Sequence, residues 1–448
     1  MTNSEIKNFS QNVSSSYHLK DKDKCNKNAC ASTCNVPKLR FKGYNDEWKH
    51  FRLKDIVKIY DGTHQTPNYI DDGIKFVSVE NIGNLEGTNK YISKVDYDKD
   101  FKIKPEINDI LMTRIGDIGT PAIIDTKENY AYYVSLALLK ADQEILFPKF
   151  FVQRILSEPF QHELWKRTLH VAFPKKINKN EIGECNVFIC SKSEQEKIAS
   201  FLTLIDKKIE KQKKLVELLK KYKRGLLSQI FSQNLRFKDN DGNDYPAWEE
   251  KTINNIFDTV TDFVAAGSFA DLRKNVLYNE KPDFAQLVRT VDLKNNFKNK
   301  DFVFVSKSAY KYLWRVNLNE DALILPNIGA NIGEVYYIYS FKLPYKNNVL
   351  GPNAILLKSS NNNLYYLYSG CLTDNFRKQL FLQVGASGQP KFNKTDFKKI
   401  KIKISINIDE QSKISKILSK FDDKIQQEEC ILNNLQTYKK GLLQQMFI

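Results

Sequence analysis

One stretch of this chain occurs twice. The two copies, 194–231 and 410–447, align at a constant offset without a gap, and about 16 of the 38 aligned positions are identical. In both copies apolar residues recur at alternating intervals of three and four, which is typical of a coiled-coil seam. Neither copy contains proline, so each is predicted to form one uninterrupted helix, roughly 55 Å long at 1.5 Å per residue.

The apolar seams of the two predicted helices are narrow and long, so we expect the helices to pack against each other. Both seams are interrupted by polar residues at the same two places, Gln212 and Lys223 in the first copy and Glu428 and Lys439 in the second. The alternative is two unrelated amphipathic helices on separate domain cores, but the shared interruptions favour a common role. The seam residues expected to pair the helices are Ile198, Leu202, Ile205, Ile209, Leu219 and Leu226 in the first helix, and Ile414, Leu418, Phe421, Ile425, Leu435 and Leu442 in the second.

The repeat is larger than the helix. A run of Leu39-Arg40-Phe41 followed by Trp48 returns as Leu235-Arg236-Phe237 followed by Trp248, so the repeated unit is a globular domain with its helix. Short β-rich runs such as 76–79 and 110–113, and a helical run at 148–156, predict α+β domains with an antiparallel or mixed sheet. The predicted boundaries are a disordered tail at 1–36, a first domain at 37–192, a first helix at 193–232, a second domain at 233–406 and a second helix at 407–448.

The charge balance favours an anionic partner. The 448 residues include 69 Lys and Arg against 53 Asp and Glu, a formal net charge of +16, which is most often associated with nucleic acid, although solvated surface lysines are the alternative. No apolar run is long enough to span a membrane and no secretory signal begins the chain, so we expect a cytoplasmic protein with reduced cysteines. Cys25, Cys30 and Cys34 lack the C-x2-C spacing that is usual for zinc, so no metal site is predicted.

No recognised catalytic pattern is present in the sequence. There is no G-x-x-x-x-G-K-[ST] phosphate loop and no H-E-x-x-H zinc motif, and the Asn-Pro-Pro-aromatic run expected of an amino-methyltransferase is missing. The five histidines do not cluster with cysteines or carboxylates. We therefore predict that the chain is not an enzyme, has no catalytic residue and binds no cofactor of its own.

Several loops combine turn-forming glycine or proline with polar and basic side chains. Lys and Arg can neutralise phosphates, and Arg, Asn, Gln, His and Thr can hydrogen-bond base edges in the major groove. The alternative is that these are ordinary turns in which Gly supplies backbone freedom. The candidate DNA-binding residues are Thr63, His64, Gln65, Thr66, Arg114, Lys175, Lys176, Arg289, Asn327, Asn331, Ser387, Gln389 and Lys391.

From about Val36 to Ile448 the chain resembles the specificity (S) subunits of type I restriction-modification systems. The resemblance is carried by the helix ends Lys223-Arg224-Gly225-Leu226-Leu227 and Lys439-Lys440-Gly441-Leu442-Leu443 and by the two domain openings. The Glu-Gln pair at the start of each helix, the Gly62-Thr63-His64 loop and the Gly388-Gln389-Pro390 loop also resemble the family. The tail before Val36 is longer than such subunits usually have.

The resemblance implies two target recognition domains in tandem, each reading one half of a split DNA site. The two helices would pair as an antiparallel coiled coil, separate the domains and dock two adenine-N6 methyltransferase (M) subunits, and restriction (R) subunits would join them. S-adenosylmethionine, ATP and Mg would belong to those partners. Two other classes remain open at this point, a coiled-coil adaptor that binds no specific DNA sequence and an enzyme with an unfamiliar site, such as a nuclease.

Overall fold

The computed structural model describes residues 35–385 and 389–448. The tail predicted to be disordered, 1–36, therefore lies almost entirely outside the described residues, as do Cys25, Cys30 and Cys34. The chain divides into two compact units. The first unit comprises Met1–Ile205 and Tyr438–Ile448, and the second comprises Asp206–Thr437.

Among its described residues, the first unit contains nine strands and five short α-helices, followed by the start of a long helix. The strands are β1 Lys49–Arg52, β2 Val57–Asp61, β3 Ile74–Val77, β4 Tyr91–Ile92, β5 Ile110–Ile115, β6 Asp117–Ile123, β7 Tyr130–Tyr132, β8 Leu136–Ala141 and β9 Asn186–Ile189. The helices are α1 Leu53–Ile56, α2 Lys94–Asp100, α3 Pro148–Leu156, α4 Glu158–Arg167 and α5 Lys179–Gly183, and the long helix is α6 Lys192–Phe231.

The main sheet of the first unit is antiparallel with the order β2-β8-β5-β6, and a three-stranded sheet has the order β4-β3-β7. Residues 110–112 of β5 and 136–139 of β8 are apolar runs because both faces of the sheet are buried there. Ile110 and Leu139 face the core that contains α3 and Trp48. Leu111 and Leu138 face the core formed with the three-stranded sheet. The main sheet is thus the middle layer of the unit.

The second unit repeats this arrangement with different residues. Its strands are β10 Glu249–Thr252, β11 Thr259–Asp262, β12 Ala285–Val288, β13 Val303–Val305, β14 Ala322–Pro326, β15 Tyr336–Ile338, β16 Asn348–Leu350, β17 Ala354–Lys358 and β18 Lys401–Ile404. Its helices are α7 Ile253–Ile256, α8 Phe269–Asn275, α9 Thr290–Lys294, α10 Lys307–Tyr312, α11 Leu364–Cys371, α12 Asp374–Phe381 and α13 Lys394–Lys399, and the second long helix is α14 Ile408–Met446.

Strand order shows that the two domains are copies of one fold. The order β11-β17-β14-β15 matches β2-β8-β5-β6, and β13-β12-β16 matches β4-β3-β7. The parallel pair occupies the same place in both, β3 with β7 and β12 with β16. Each domain also has a separate two-stranded sheet, β1-β9 or β10-β18. The repeat predicted from short sequence matches is therefore complete at the level of topology, and the α+β prediction is confirmed.

The two long helices run antiparallel where both lie in the second unit. Gln212 Nε2 of α6 donates to Glu428 Oε2 of α14 at 2.5 Å, whereas further along α6 Lys223 pairs with Asp422 at 2.5 Å. The residue number rises on one helix as it falls on the other, which defines an antiparallel coiled coil. Gln212 and Glu428 hold equivalent positions in the two sequence copies, so a local two-fold axis passes between them.

Most of the seam residues that were expected to pair the helices are buried or partly buried, and many of them pack against domain cores. Ile198, Leu202 and Leu442 belong to the core of the first unit, with Ile205 packed against it. Ile414 and Leu418 belong to a core of the second unit, with Leu226 packed against it. Ile425 is also buried, and Phe421 packs against Tyr222 with 5.4 Å between ring centroids. Ile209, Leu219 and Leu435 are partly exposed.

An aromatic cluster fixes the end of a long helix in each unit. In the first unit Phe447, just beyond α14, packs against Trp48 and Phe150 with ring centroids 6.1 and 5.4 Å away. In the second unit Phe231, the last residue of α6, packs against Trp248 and Tyr366 at 5.5 and 5.4 Å. These edge-to-face and offset arrangements are favourable for aromatic rings.

The Glu-Gln pair near the start of each long helix fastens the helix to the domain beside it. Gln195 is fully buried, accepts a hydrogen bond from Phe147 N at 2.8 Å and donates to the carbonyls of Ile145 and Cys190. In the second unit Gln411 is equally buried and accepts from Asn363 N at 2.8 Å. Each amide satisfies backbone groups that burial would otherwise leave unpaired.

Candidate nucleic-acid interface

Two loops of the first unit meet at one end of the main sheet. Gly116 N donates to Lys175 O at 2.8 Å and Ile177 N donates to Arg114 O at 3.0 Å, so the turn between β5 and β6 pairs with the segment that precedes α5. Gly116 has φ of +81°, a conformation that side chains disfavour. These two segments, 113–118 and 174–177, are called the first paired loops. They bring Arg114, Lys175 and Lys176 together, three residues proposed from distant parts of the sequence.

The second unit builds the same pairing. Gly329 N donates to Pro390 O at 2.9 Å, Phe392 N donates to Asn327 O at 3.1 Å, and Gly329 has φ of +95°. These segments, 326–331 and 389–392, are called the second paired loops, and they bring Asn327, Gln389 and Lys391 together. Ser387, also a candidate, lies outside the described residues.

The loop that contains Gly62, Thr63 and His64 is joined to the first paired loops through Arg114. The guanidinium of Arg114 pairs with Asp61 Oδ1 at 3.0 Å and donates to Val134 O at 2.9 Å. Thr63 is held on the backbone of the same region, since Thr63 N donates to Tyr132 O at 3.1 Å. Arg114 is only 8% exposed, so its side chain holds the loops together and is not presented to solvent. Arg114 stays a predicted DNA-binding residue.

The remaining candidates of the first unit are presented to solvent. His64, Gln65 and Thr66 follow Thr63 on an exposed loop, and Lys175 and Lys176 are exposed on the first paired loops. Neither lysine has an ion pair within the described part of the chain. Exposed amide, imidazole, hydroxyl and ammonium groups on one rim are the groups that contact phosphates and base edges.

Two candidates of the second unit are engaged by neighbouring side chains. Arg289 is held by Asp292 at 2.9 Å and by the Asp301 carbonyl at 2.6 Å, and its hydrogen bond to Asp292 raises the pKa of the guanidinium. Asn331 Oδ1 accepts from Lys294 Nζ at 3.1 Å. Arg289 therefore stabilises the start of α9, and no described contact joins it to the second paired loops.

The two sets of paired loops have the same backbone pairing but different side chains. Arg114 corresponds to Asn327, and Lys175 corresponds to Pro390, whereas Lys176 and Lys391 are alike. The ion pair of Arg114 with Asp61 has a counterpart in Lys394 with Asp262 at 2.9 Å. A common frame with unlike hydrogen-bonding groups is suited to reading two different sequences.

The second unit has a feature that sequence reasoning missed. The connection between β11 and β12 is longer than its counterpart between β2 and β3, and it contains α8. Beside α8 lies a cavity of about 530 Å³ whose lining includes Phe263, Leu272, Asn327 and Asn353. A signal was present in the sequence, because Ser268 caps α8 by accepting from Asp271 N, and Ser-x-x-Asp marks a helix start.

The described residues contain no group of three or more His, Cys, Asp or Glu side chains that could hold a metal ion. Cys185, Cys190 and Cys371 are buried, and burial raises the pKa of the Cys185 and Cys371 thiols to about 12. Thiols in this state are poor nucleophiles and poor metal ligands. In the described part of the chain, no helix has both the length and the apolar character needed to cross a membrane.

Known proteins resemble this chain along most of its length. A model of the type I restriction modification DNA specificity domain matches residues 45–220 and again 230–437. The putative type I restriction enzyme MjaX specificity subunit of Methanocaldococcus jannaschii is 22% identical over 89% of this chain and 92% of its own length. The MjaVIII specificity subunit of the same organism is 31% identical over 133 residues, which span 29% of each chain.

Solved structures show the same fold. The S subunit of a type I restriction-modification system from M. genitalium has a TM-score of 0.55 and 17% identity, covering 92% of this chain and 99% of its own. A chain from a structure that describes complex assembly and conformational transition of the type I restriction-modification system has a TM-score of 0.52 and 12% identity, covering 89% and 97%. Two specificity-domain matches in tandem, on two domains of equal topology, show that the chain belongs to the family of type I restriction-modification specificity subunits.

Proposed function

We propose that this chain is the sequence-specific DNA-binding subunit of a type I restriction-modification complex and reads a two-part site. The observation that carries the proposal is the likeness of the first and second paired loops, which have the same pattern of backbone hydrogen bonds but present different side chains. Each set of paired loops would contact one half of the site. Thr63 and the exposed candidates His64, Gln65, Thr66, Lys175 and Lys176 would serve the first half, and Asn327, Asn331, Ser387, Gln389 and Lys391 the second.

Arg114 and Arg289 take a different part in this proposal. Both guanidinium groups are occupied by carboxylates and carbonyls of the protein. They would act as positioning residues, with Arg114 fixing the loop that carries His64 and Gln65. Fixed loops lose less conformational entropy on binding and therefore discriminate better between sequences.

The helix pair would dock two methyltransferase subunits, and restriction subunits would complete the assembly. Seam residues are occupied by the partner helix and the domain cores, so docking must use the outer faces. On α6, Leu215, Leu218 and Tyr222 are 40%, 62% and 62% exposed. Lys211, Lys214 and Lys221 are exposed near them. Apolar stripes with a charged border are typical of helix faces that bind protein partners.

The catalytic chemistry would reside in those partners. S-adenosylmethionine would be bound by the methyltransferase subunits, and ATP and Mg by the restriction subunits. The adenine to be methylated has to leave the base stack to reach a catalytic pocket. In this proposal the present chain selects the site and catalyses no step.

A methylome tests the proposed function. The chain is co-expressed with the adenine methyltransferase encoded beside it, and N6-methyladenine is mapped by single-molecule sequencing. We expect one two-part motif with a fixed gap, which disappears when this chain is omitted. A stable complex that methylates no chain-dependent motif would contradict the proposal and favour a protein adaptor.

Substitution of the exposed lysines tests the assignment of the first paired loops. In the assembled complex, Lys175→Ala with Lys176→Ala is expected to weaken binding to all duplexes and to lower the slope of log affinity against log salt by about 2, because each phosphate contact contributes about 0.9. A matched control is Lys99→Ala with Lys102→Ala, two exposed lysines at the end of α2. Equal salt slopes for both double variants would remove Lys175 and Lys176 from the interface.

A further inference from the structure

The first unit carries an exposed apolar loop tip, His170 to Pro174, immediately before Lys175. The side chains of Val171 and Phe173 are essentially wholly exposed, at 99% and 103%. They contribute no buried surface to the folding of the unit, and polar residues would serve a surface turn better. Adjacent exposed apolar side chains of this kind indicate a contact with another molecule.

The base of this loop is fixed, so the tip projects from a rigid support. Leu169 N donates to Lys176 O at 2.8 Å, which closes the loop, and Gly116 N binds Lys175 O at 2.8 Å on the other side. The helix before the loop is also held, since Gln161 Nε2 of α4 donates to Gly119 O of β6 at 2.8 Å. A rigidly supported aromatic can be pressed into a neighbouring molecule without the loop collapsing.

Aromatic rings line the approach to the tip. Trp165 is 60% exposed, and its ring stacks on His162 with centroids 5.9 Å apart and planes 7° apart. The His170 ring is tilted by 50° to the Trp165 ring with centroids 5.0 Å apart, and its Nε2 is 2.9 Å from Trp165 O. Flat exposed rings of this type are the surfaces on which nucleobases stack.

The charge around the tip identifies the partner. From 164 to 180 the sequence contains Lys166, Arg167, Lys175, Lys176 and Lys179 and no carboxylate. Lys166 and Arg167 both pair with Glu163. Lys175 and Lys176 have no ion pair in the described part of the chain, so they form a cationic border at the base of the tip. An apolar wedge bordered by lysines matches duplex DNA, where phosphates flank a base stack that an apolar side chain can open.

We propose that Phe173, with Val171 in the same loop tip, is a wedge that inserts against the bases of the half-site bound by the first domain and unstacks one base step. This inference rests on the proposed DNA-binding function. It applies to the first domain alone, because the corresponding segment of the second domain, Gly385-Ala386-Ser387-Gly388-Gln389, contains no aromatic residue. The wedge adds recognition through deformability, since pyrimidine–purine steps unstack more easily than others.

The experiment uses the assembled methyltransferase complex and duplexes that carry 2-aminopurine at successive positions of the two half-sites. Wild-type complex is expected to raise 2-aminopurine fluorescence at one step of the first half-site. Phe173→Ala should abolish this increase and weaken affinity about tenfold, with an unchanged salt slope because no charge is lost. Phe173→Trp, which keeps a large aromatic ring, should show the fluorescence increase and the affinity of the wild type. Phe341→Ala, which truncates a 76% exposed phenylalanine of the second unit, is the matched control.

Each other outcome decides against part of the argument. Unchanged fluorescence and affinity in Phe173→Ala would overturn the wedge while leaving the proposed function intact. Loss of co-purification with the methyltransferase in Phe173→Ala would make the tip a protein contact and also overturn it. Wild-type complex that binds no duplex specifically would overturn the proposed function and the wedge together. Because Phe173 is fully exposed, its variants should unfold at the wild-type temperature.

Discussion

The two domains hold the starts of the long helices through equivalent glutamates that accept hydrogen bonds from different kinds of donor. In the first unit the buried Glu194 accepts two hydrogen bonds from Arg40, at 2.7 and 2.8 Å. In the second unit the equivalent Glu410 accepts from Trp248 Nε1 at 3.0 Å and from Ser405 Oγ at 2.6 Å. One carboxylate is neutralised by a cation and the other is stabilised by neutral donors. The position therefore requires satisfied hydrogen bonds, and the identity of the donor is free to vary.

The aromatic clusters differ in the same manner. Arg154 of α3 lies against Phe447 in the first unit, with its guanidinium carbon 5.8 Å from the ring centroid. Burial lowers the pKa of Arg154. At the equivalent position of α11 the second unit has Gly370, and a Cβ there would lie 3.0 Å from Phe231 Cε1. A long side chain fills the space in one domain, and the aromatic ring itself fills it in the other.

The largest expected effect is a loss of stability when the donors to Glu194 and Glu410 are removed, and it tests whether the two carboxylates are held differently. Arg40→Met leaves Glu194, which is fully buried, without its cation, and removing one partner of a buried ion pair costs about 3–5 kcal/mol. Trp248→Phe removes one hydrogen bond to Glu410 and should cost about 1.5–3 kcal/mol. Hydrogen exchange measured by mass spectrometry on peptides of α3 and α11 resolves the two units. Equal losses in the two units would show that the two carboxylates are not held differently.

A middle effect tests the aromatic clusters. Gly370→Ala crowds Phe231, and overpacking costs about 1–3 kcal/mol, offset by about 0.5–1 kcal/mol from the better helix propensity of alanine. We therefore expect a small net loss of stability in the second unit, measured as faster exchange in α11. Gly225→Ala, at a glycine of α6 where an added Cβ would meet nothing within 4 Å, is the control for propensity. A net gain would mean that Phe231 moves away from the added methyl group.

The smallest effect concerns the local axis of the helix pair, where Gln212 faces Glu428. Hydrogen bonds from Lys424 and then Gln212 lower the pKa of Glu428 below its ordinary 4.5. The resulting stability is present above that ordinary value and is lost as pH falls through the lower, folded-state pKa. The temperature of thermal unfolding should thus fall less steeply from pH 7 to pH 3 in Glu428→Gln than in wild type. Parallel profiles would show that Glu428 is not stabilised in the folded helix pair.

Sequence patterns predicted what is encoded locally. The seam repeats within a few residues, so the helices were expected at 193–232 and 407–448 and are observed at Lys192–Phe231 and Ile408–Met446. The helix predicted at 148–156 is observed as Pro148–Leu156, whereas the strand predicted at 76–79 is Ile74–Val77 and Val79 begins a 3-10 turn. There the backbone N–H of Ser78 is taken by the side chain of Asn81, which ends the strand.

The candidate site was only partly predictable because it depends on distant pairing. Sequence reasoning proposed Arg114, Lys175 and Lys176 separately, but the pairing of Ile115 with Lys176 joins segments about sixty residues apart and has no local signature. The burial of Arg114 likewise depends on Asp61 and Val134. Exposed apolar residues at 171 and 173 were overlooked, because hydropathy patterns cannot distinguish a short apolar run in a core from one at a loop tip.

The facing of Gln212 and Glu428 has a consequence for chain length. A half-length chain with one domain and one helix would have to pair with an identical copy, so this position would face itself. Two glutamines can exchange amide hydrogen bonds across such an axis, whereas two glutamates would repel each other at neutral pH. Fusion of two halves into one polypeptide removes this restriction, because each side of the axis can then mutate alone. The Gln–Glu contact is available only to a molecule whose halves are no longer the same.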